Sequence, residues 1–162
     1  MKPLPLIRLL TLALALAALG PTAAWAEDPS HADHIIVLPA DLKWDDAKAN
    51  PQPGAKIAVI EGPPNEAVPF TFRVKFPADY KVAAHWHRAL EHVTVLSGTY
   101  NFGTGDKLDK EKTKALLLGS TVIIRPKTNH FIWTSEETVL QVHGVGPQDL
   151  NFVDPADDPR KK

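Results

Sequence analysis

Apolar and polar residues alternate in short runs along most of the chain, and turn-forming residues separate the runs. Residues 70–76, Phe-Thr-Phe-Arg-Val-Lys-Phe, show the alternation most clearly, which is typical of a strand with one buried face. No run has the length and period of a long amphipathic helix. The pattern predicts further strands at residues 34–38, 56–60, 82–87, 91–97, 99–102, 115–118, 121–125, 131–134, 138–143 and 150–153.

Many short strands separated by Gly, Pro, Asn and Asp predict an all-β sandwich or barrel. The 15 prolines fit this prediction, since proline in β proteins is confined to turns and sheet edges. Residues 39–54 are expected to cross the surface, with Trp44 as their apolar anchor. We expect a turn at residues 103–105, and a solvated loop or short helical turn at the charged residues 106–114.

The first 26 residues have the features of a secretory signal peptide. Lys2 and Arg8 form a basic start, residues 9–19 are apolar and uncharged, and residues 24–26 (Ala-Trp-Ala) match a small-x-small cleavage site. The apolar run is short for a membrane span, and no second one follows. We therefore expect cleavage after residue 26, a periplasmic or secreted protein, and no membrane contact afterwards. A retained N-terminal anchor is the alternative.

The rest of the chain is long enough for one domain and too short for two. We expect a flexible segment at 27–33, one β-barrel at 34–153 and a polar tail at 154–162. The formal net charge is −1, or about −3 once the signal peptide is removed, so no nucleic-acid partner is expected. Cysteine is absent, which excludes disulfides and thiolate ligands. Any metal must therefore be held by nitrogen and oxygen donors.

One stretch, residues 85–98, carries a pattern typical of metal ligands. His85 and His87 are two residues apart, so on a strand both imidazoles lie on the same face. Glu91 opens the next predicted strand, and a hairpin of this kind brings two nitrogens and one carboxylate close together. His130 follows a turn at the start of another apolar strand, and we expect it to supply the remaining ligand.

These residues resemble the cupin motifs G-x5-H-x-H-x3-4-E-x6-G and G-x5-P-x-G-x2-H-x3-N. The ligand skeleton matches in full: His85, His87, Glu91, Gly98, Gly119 and His130 stand in register, with residues 99–118 as the inter-motif loop. The chain departs from the motifs only at positions that carry no ligand: Asp79, Arg125, Lys127 and Thr134 replace glycine, proline, glycine and asparagine, respectively.

The resemblance implies a single-domain, cupin-type jelly-roll β-barrel that binds one divalent transition metal. The ion would be Fe, Mn, Ni, Cu or Zn, held by His85, His87, Glu91 and His130. Four protein ligands leave one or two positions for water, substrate or dioxygen, so the composition favours ligand exchange over a closed structural site. The surrounding interior is expected to be apolar, since Val93, Val95 and Ile132 share the strand faces of the ligands.

The other histidines have less specific interpretations. His92 is the rival of Glu91 as a ligand, but strand alternation turns it the opposite way when Glu91 faces inward. His143 is expected in the core or at a sheet edge, with a contact to a metal ligand as the alternative. His31 and His34 are expected to face solvent.

Three functions fit these features, and a cupin fold alone does not choose among them. The first is a metal-dependent, dioxygenase-like enzyme acting on an enolic or phenolic small molecule, with Glu91 also serving as a base. The others are a non-catalytic metal and ligand carrier, and a metal-dependent isomerase or lyase.

Residues 85–98 and 141–147 look similar to small bacterial cupins related to the ChrR-type domain, although a sigma-factor role does not carry over. A homodimer is expected by family analogy. Three aromatic residues are predicted to point away from the metal, namely Trp86, Phe131 and Trp133. We expect them to pack in the core or in a dimer interface.

Overall fold

A computed structural model describes residues 34–47 and 53–161, so the predicted signal peptide and His31 lie outside the described residues. Residues from Ile36 onward form one compact unit. The described strands are β1 (Asp45–Asp46), β2 (Lys56–Glu61), β3 (Pro69–Phe76), β4 (Lys81–Trp86), β5 (Glu91–Ser97), β6 (Tyr100–Thr104), β7 (Lys114–Leu116), β8 (Thr121–Ile124), β9 (His130–Trp133), β10 (Thr138–Val145) and β11 (Asn151–Phe152). Short 3-10 helices occupy Pro39–Asp41, Lys110–Lys112, Pro155–Asp157 and Pro159–Lys161.

The strands form two antiparallel sheets. The first has the order β1-β2-β3-β10-β5-β8, and the second has the order β11-β4-β9-β6-β7. Strands that follow each other in the chain often lie in different sheets, as β4 and β5 do, which is the jelly-roll arrangement. None of the described helices has the length and apolarity needed to cross a bilayer. The all-β prediction is confirmed.

The core lies between the inner faces of the two sheets. In β3 the alternation predicted from the sequence is observed, since Phe70, Phe72, Val74 and Phe76 are buried and the residues between them are partly exposed. Each such aromatic or aliphatic side chain contributes roughly 1.5–3 kcal/mol when it leaves water. Burial of one face of each strand therefore fixes which side chains point into the barrel.

The strand register brings the histidines together. β4 pairs with β9 so that His85 lies directly opposite His130. His87 follows the last residue of β4, the chain bends over residues 88–90, and Glu91 starts β5 in the other sheet. The chain thus passes from the second sheet to the first between β4 and β5. Predicted ligands lie on both strands, His85 on β4 and Glu91 on β5.

Four turn positions of the two motifs adopt a left-handed backbone. Gly98 and Gly119, the glycines that the chain retains, have φ of 73° and 83°. Asp79 and Lys127, which replace motif glycines, have φ of 58° and 60°. The turns therefore keep the shape that glycine favours, although a side chain at this φ costs roughly 1–2 kcal/mol. Aspartate tolerates the conformation better than lysine does.

Several strand predictions need correction. Residues 34–38 form no strand and pair with none of the described strands, and Ile36 and Leu38 are 71% and 58% exposed. Gly103 and Thr104 lie within β6 rather than in a turn, because they pair with Phe131 and His130 of β9. The other predicted strands are present, with ends shifted by one or two residues.

The connecting and terminal segments pack on the body. Trp44 is half-buried and lies under the Lys75 ammonium, whose Nζ is 4.9 Å from the ring centroid. Near the C-terminus, Arg160 donates from Nε to Asp158 at 2.7 Å and from Nη2 to the Leu150 carbonyl at 3.0 Å. Residues 155–161 are thereby tied to the segment that precedes β11.

Candidate metal centre

Three buried histidines meet between the two sheets. His85, His87 and His130 are 4%, 5% and 1% exposed, and one donor atom from each lies within 4.8 Å of the others. The ring centroids are separated by 4.2 Å for His85 and His130, 5.0 Å for His85 and His87, and 5.1 Å for His87 and His130. The structure thus brings together all three histidines that the sequence selects.

Backbone carbonyls fix the orientation of each ring. His85 Nδ1 donates to the Ala83 carbonyl at 2.7 Å, and His130 Nδ1 donates to the Thr128 carbonyl at 2.9 Å. His87 Nδ1 donates to the Asp149 carbonyl. A carbonyl oxygen only accepts, so Nδ1 carries the proton and the Nε2 lone pair stays free. Such outer hydrogen bonds are how proteins hold metal-binding imidazoles.

The histidines are neutral near pH 7. Burial lowers the pKa of His85 well below its usual value, and the neighbouring His130 and His87 lower it further. Burial likewise lowers the pKa of His87, and that of His130 to about 4. Neutral imidazole is the form that binds metals. Three free lone pairs converging in a dry interior fit a divalent transition metal and leave positions open for exchange.

Glu91 adjoins the histidines from the other sheet. It is 4% exposed, its Oε1 accepts a hydrogen bond from Gln148 Nε2 at 3.0 Å, and its Oε2 lies 3.5 Å from His87 Nε2. This contact is not an ion pair near neutral pH, because burial keeps His87 uncharged. Burial raises the pKa of Glu91 to about 7, against the opposing effect of the Gln148 hydrogen bond. The carboxyl is therefore placed either to bind a metal or to exchange a proton beside it.

A segment between β10 and β11 closes one side of the site. The Gly146 amide donates to the Val68 carbonyl at 3.0 Å, and the Gln148 amide donates to the Pro64 carbonyl at 2.7 Å. Asp149 orients His87 through its carbonyl, and its carboxylate accepts from Arg88 Nε at 2.5 Å. Sequence patterns did not reveal Gln148 or Asp149, since each contacts a residue about sixty positions away.

The histidines open into a cavity of about 220 Å³ inside the barrel. Apolar side chains from both sheets form most of its wall, including Val93 and Ile132 as the sequence predicts; Val95 is buried in the adjoining core. The polar wall consists of the four predicted ligands with Tyr100 and Gln148. No lysine or arginine among the described residues lines it. Tyr100 belongs to a predicted strand, but alternation alone did not single it out.

The remaining histidines lie elsewhere. His92 faces away from the cluster and stacks on His143 of β10, with ring centroids 4.6 Å apart and planes within 3°. His143 is exposed on an interior strand, β10, with β3 on one side and β5 on the other, so the prediction of a core or edge histidine is wrong. It does not line the cavity that holds the three buried histidines. His34 is exposed, as expected.

The three outward aromatic residues do not line the cavity. Phe131 is 1% exposed and packs against Gly103, so it serves the core rather than an external surface. Trp86 and Trp133 are half-buried, and Trp133 Nε1 donates to Thr113 Oγ1 at 3.2 Å. The prediction that all three point away from the metal agrees with this arrangement.

Comparison with solved structures identifies the fold. The polyketide cyclase RemF from Streptomyces resistomycificus is similar with a TM-score of 0.65 and 15% identity over 79% of this chain and 91% of that one. An RmlC-like cupin from Shewanella frigidimarina NCIMB 400 has a TM-score of 0.55 and 15% identity over 70% and 90%. DMSP lyase DddQ from Ruegeria pomeroyi DSS-3 has a TM-score of 0.52 and 18% identity over 66% and 57%.

The chain therefore has the cupin fold, a jelly-roll β-barrel, as the motif resemblance implies. The structural neighbours include proteins described as enzymes, a cyclase and a lyase. The sequence itself matches no family model, and no curated protein matches it. The finer resemblance to ChrR-type domains stays a prediction.

Proposed function

We propose that this protein is a metal-dependent enzyme, of the dioxygenase-like kind, that acts on a small molecule inside the barrel. The observation that carries the proposal is the convergence of three neutral imidazoles, each aligned by a carbonyl, at the wall of an apolar cavity. Three histidines leave open positions for substrate and dioxygen, whereas a structural site is closed by its own ligands.

His85, His87 and His130 would hold the ion, and Glu91 would be a ligand that can also take a proton. Bound there, a divalent transition metal supplies Lewis-acid chemistry and, for Fe, Mn, Ni or Cu, redox chemistry. Gln148 donates a hydrogen bond to Oε1 of Glu91, and Oε2, the other carboxyl oxygen, faces His87. Near a bound ion this carboxyl would be ionised, and its oxygen on the His87 side could accept a proton from a substrate hydroxyl. The apolar wall excludes water from this step.

A second candidate is redox-neutral lyase or isomerase chemistry at the same site. The specific support is that two structural neighbours are described as a polyketide cyclase and a DMSP lyase. In this form Glu91 would remove a proton next to a carbonyl group, and dioxygen would have no role. A carrier that binds without turnover is the outcome in which neither form holds.

The test is product formation with and without oxygen. The protein, loaded separately with Fe, Mn, Ni, Cu and Zn, is incubated with a panel of phenols, enols and hydroxy-ketones, and both oxygen uptake and products are measured. We expect oxygen-dependent turnover with one redox-active metal. Turnover that persists without oxygen would favour the second candidate, and absence of product under all conditions would contradict an enzymatic role.

A pair of matched variants separates the site from the rest of the fold. His130→Ala removes a buried imidazole that would bind the metal, whereas His143→Ala removes an exposed histidine on the outer face of the first sheet. We expect His130→Ala to abolish turnover and His143→Ala to leave it unchanged. Equal activity in the two variants would contradict the assignment.

We also propose that residues 1–26 direct export and that the mature protein acts in the periplasm or outside the cell. The support is the basic, apolar and small-x-small pattern of this segment. Mass spectrometry of the protein from a bacterial host is expected to show a chain that begins at Glu27. A mature chain that retains residue 1 would contradict this.

A further inference from the structure

Tyr100 is a buried polar residue that the proposed chemistry does not employ. It lies at the start of β6, lines the cavity and is 5% exposed. Its hydroxyl is not a sealed, unpaired group, since His92 Nδ1 is the one such side-chain atom among the described residues; the hydroxyl is instead accessible from the cavity that Tyr100 lines. A ligand that displaces water from this hydroxyl without accepting its hydrogen bond would leave it unpaired, at a cost of roughly 1–3 kcal/mol. A bound molecule with an acceptor atom would satisfy it.

The charge on the cavity wall limits what that molecule is. Glu91 is the one acidic group on the wall, and no lysine or arginine of the described chain lines it. A second anionic group of a ligand would be buried without a counter-charge, which is strongly unfavourable. The wall therefore selects a molecule that is neutral apart from the oxygen that faces the histidines.

The volume limits its size. The cavity measures about 220 Å³. A dry protein cavity of about 150 Å³ holds one benzene molecule. The barrel thus has room for a single ring with short substituents.

We propose, building on the metal centre proposed above, that the site binds a neutral molecule about the size of one substituted ring, and that Tyr100 positions it. One oxygen of this molecule faces His85, His87 and His130, and a second oxygen accepts a hydrogen bond from the Tyr100 hydroxyl. Tyr100 is thus the specificity-determining residue of the cavity.

The test uses pairs of ligands with the same shape. The protein is loaded with cobalt, whose visible spectrum reports a new oxygen ligand, and is titrated with the three methoxyphenol isomers and the three ethylphenol isomers. Ether oxygen and methylene are similar in size, but only the ether accepts a hydrogen bond. We expect at least one methoxyphenol to bind about tenfold more tightly than its ethyl counterpart. Hydroxybenzoates, which carry a second anionic group, are expected to bind at least tenfold more weakly.

Tyr100→Phe is expected to remove the preference for the ether while changing the affinity for ethylphenol by less than about twofold. Tyr80→Phe is the matched control, since Tyr80 is buried but does not line the cavity, and it is expected to keep the preference. The preference in the unsubstituted protein tests the inference even where Tyr100→Phe fails to fold.

Three results would overturn the inference: equal binding of each ether and ethyl pair, equal loss of both ligands in Tyr100→Phe, or hydroxybenzoates binding as tightly as methoxyphenols. Cobalt uptake, measured first, separates this inference from the proposed function. A protein that takes up no cobalt contradicts the metal centre itself. A protein that takes up cobalt and then shows any of the three results contradicts only the role of Tyr100 and the ligand class.

Discussion

At the residue scale, burial decides the protonation of the centre. Four ionisable side chains are packed where a charge loses its hydration, so the three histidines favour the neutral form and the pKa of Glu91 rises to about 7. Without metal, these residues are held in the protein at a cost. A divalent ion reverses that cost, because it attracts the imidazole lone pairs and the carboxylate together.

Glu91→Gln should change how the stability of the metal-free protein depends on pH. The folded protein binds the Glu91 proton more tightly than the unfolded chain does, so deprotonation favours unfolding as pH rises from about 4.5 to about 7. The amide has no such proton and still accepts the Gln148 hydrogen bond. The variant should equal the unsubstituted protein below pH 4.5 and exceed it by about 3 kcal/mol at pH 8.

Urea denaturation of the chelator-treated proteins across pH 4–8 measures this difference. The histidine contributions are common to both proteins and cancel in the comparison. Parallel stability curves over the whole range would mean that the Glu91 carboxyl is not desolvated as described. Glu136→Gln, at an exposed loop position, is the control and should show no such divergence.

The ligand residues were the part of the site most open to sequence reasoning. The spacing of His85 and His87 on one strand, and of Glu91 after a short bend, follows from the two-residue period of a strand. Sequence reasoning did not identify Gln148, Asp149 and Tyr100, because their roles depend on contacts between distant parts of the chain. Gln148, for example, forms a hydrogen bond with Glu91, which lies 57 positions earlier. The pattern of residues near one position in the sequence does not predict such a contact.

At the element scale, turns with a left-handed backbone hold the strands in register. The motif glycines at 98 and 119 adopt this backbone, and so do the residues that replace glycine at 79 and 127. Asp79 and Lys127 were predicted as departures from the motif, but their backbone angles were not predictable from residue type. The turn at Lys127 matters for the site, since its amide donates to the His87 carbonyl at 2.8 Å.

Lys127→Gly is therefore expected to stabilise the protein by roughly 0.5–1 kcal/mol, because glycine adopts φ near 60° without strain. Lys107→Gly is the matched control: it is an exposed loop lysine outside the left-handed region, and glycine there only adds freedom to the unfolded chain. Chemical denaturation should show opposite signs for the two variants. A loss of stability in both would contradict the strain assigned to Lys127.

The strand predicted at residues 34–38 is absent, because a strand forms only when it pairs with another element. The segment has the β-branched composition of a strand, but a strand also requires a neighbouring edge to share its hydrogen bonds. Strand β1, only two residues long, pairs with β2 instead and was not predicted. Composition indicates what a segment tolerates, while partner availability decides what it forms.

At the scale of the whole molecule, the centre joins the two sheets. His85 and His130 come from one sheet, Glu91 comes from the other, and His87 lies in the bend between them. An ion held by these residues links elements that separate on unfolding. The predicted homodimer and the mature exported form are properties of this same scale, and both stay predictions.

Metal binding should therefore raise the stability of the entire domain. At a free metal concentration one hundred times the dissociation constant, the expected gain is about 2.7 kcal/mol. The gain should decrease as pH falls below about 7, because protonation of Glu91, whose pKa is about 7 without metal, competes with the ion. The histidines compete less, since burial lowers their pKa values. Calorimetric scans with zinc and with chelator measure it, and an unchanged unfolding temperature would count against a folded-state site.

The most direct test of the central claim is the metal content of the purified protein, by elemental analysis, in the unsubstituted chain and in the His85→Ala, His87→Ala, His130→Ala and His143→Ala variants. We expect one transition-metal ion per chain in the unsubstituted protein and in His143→Ala, and a loss of at least tenfold in the other three. Equal metal content in all five proteins, or none in any after incubation with Fe, Mn, Ni, Cu and Zn, would contradict it.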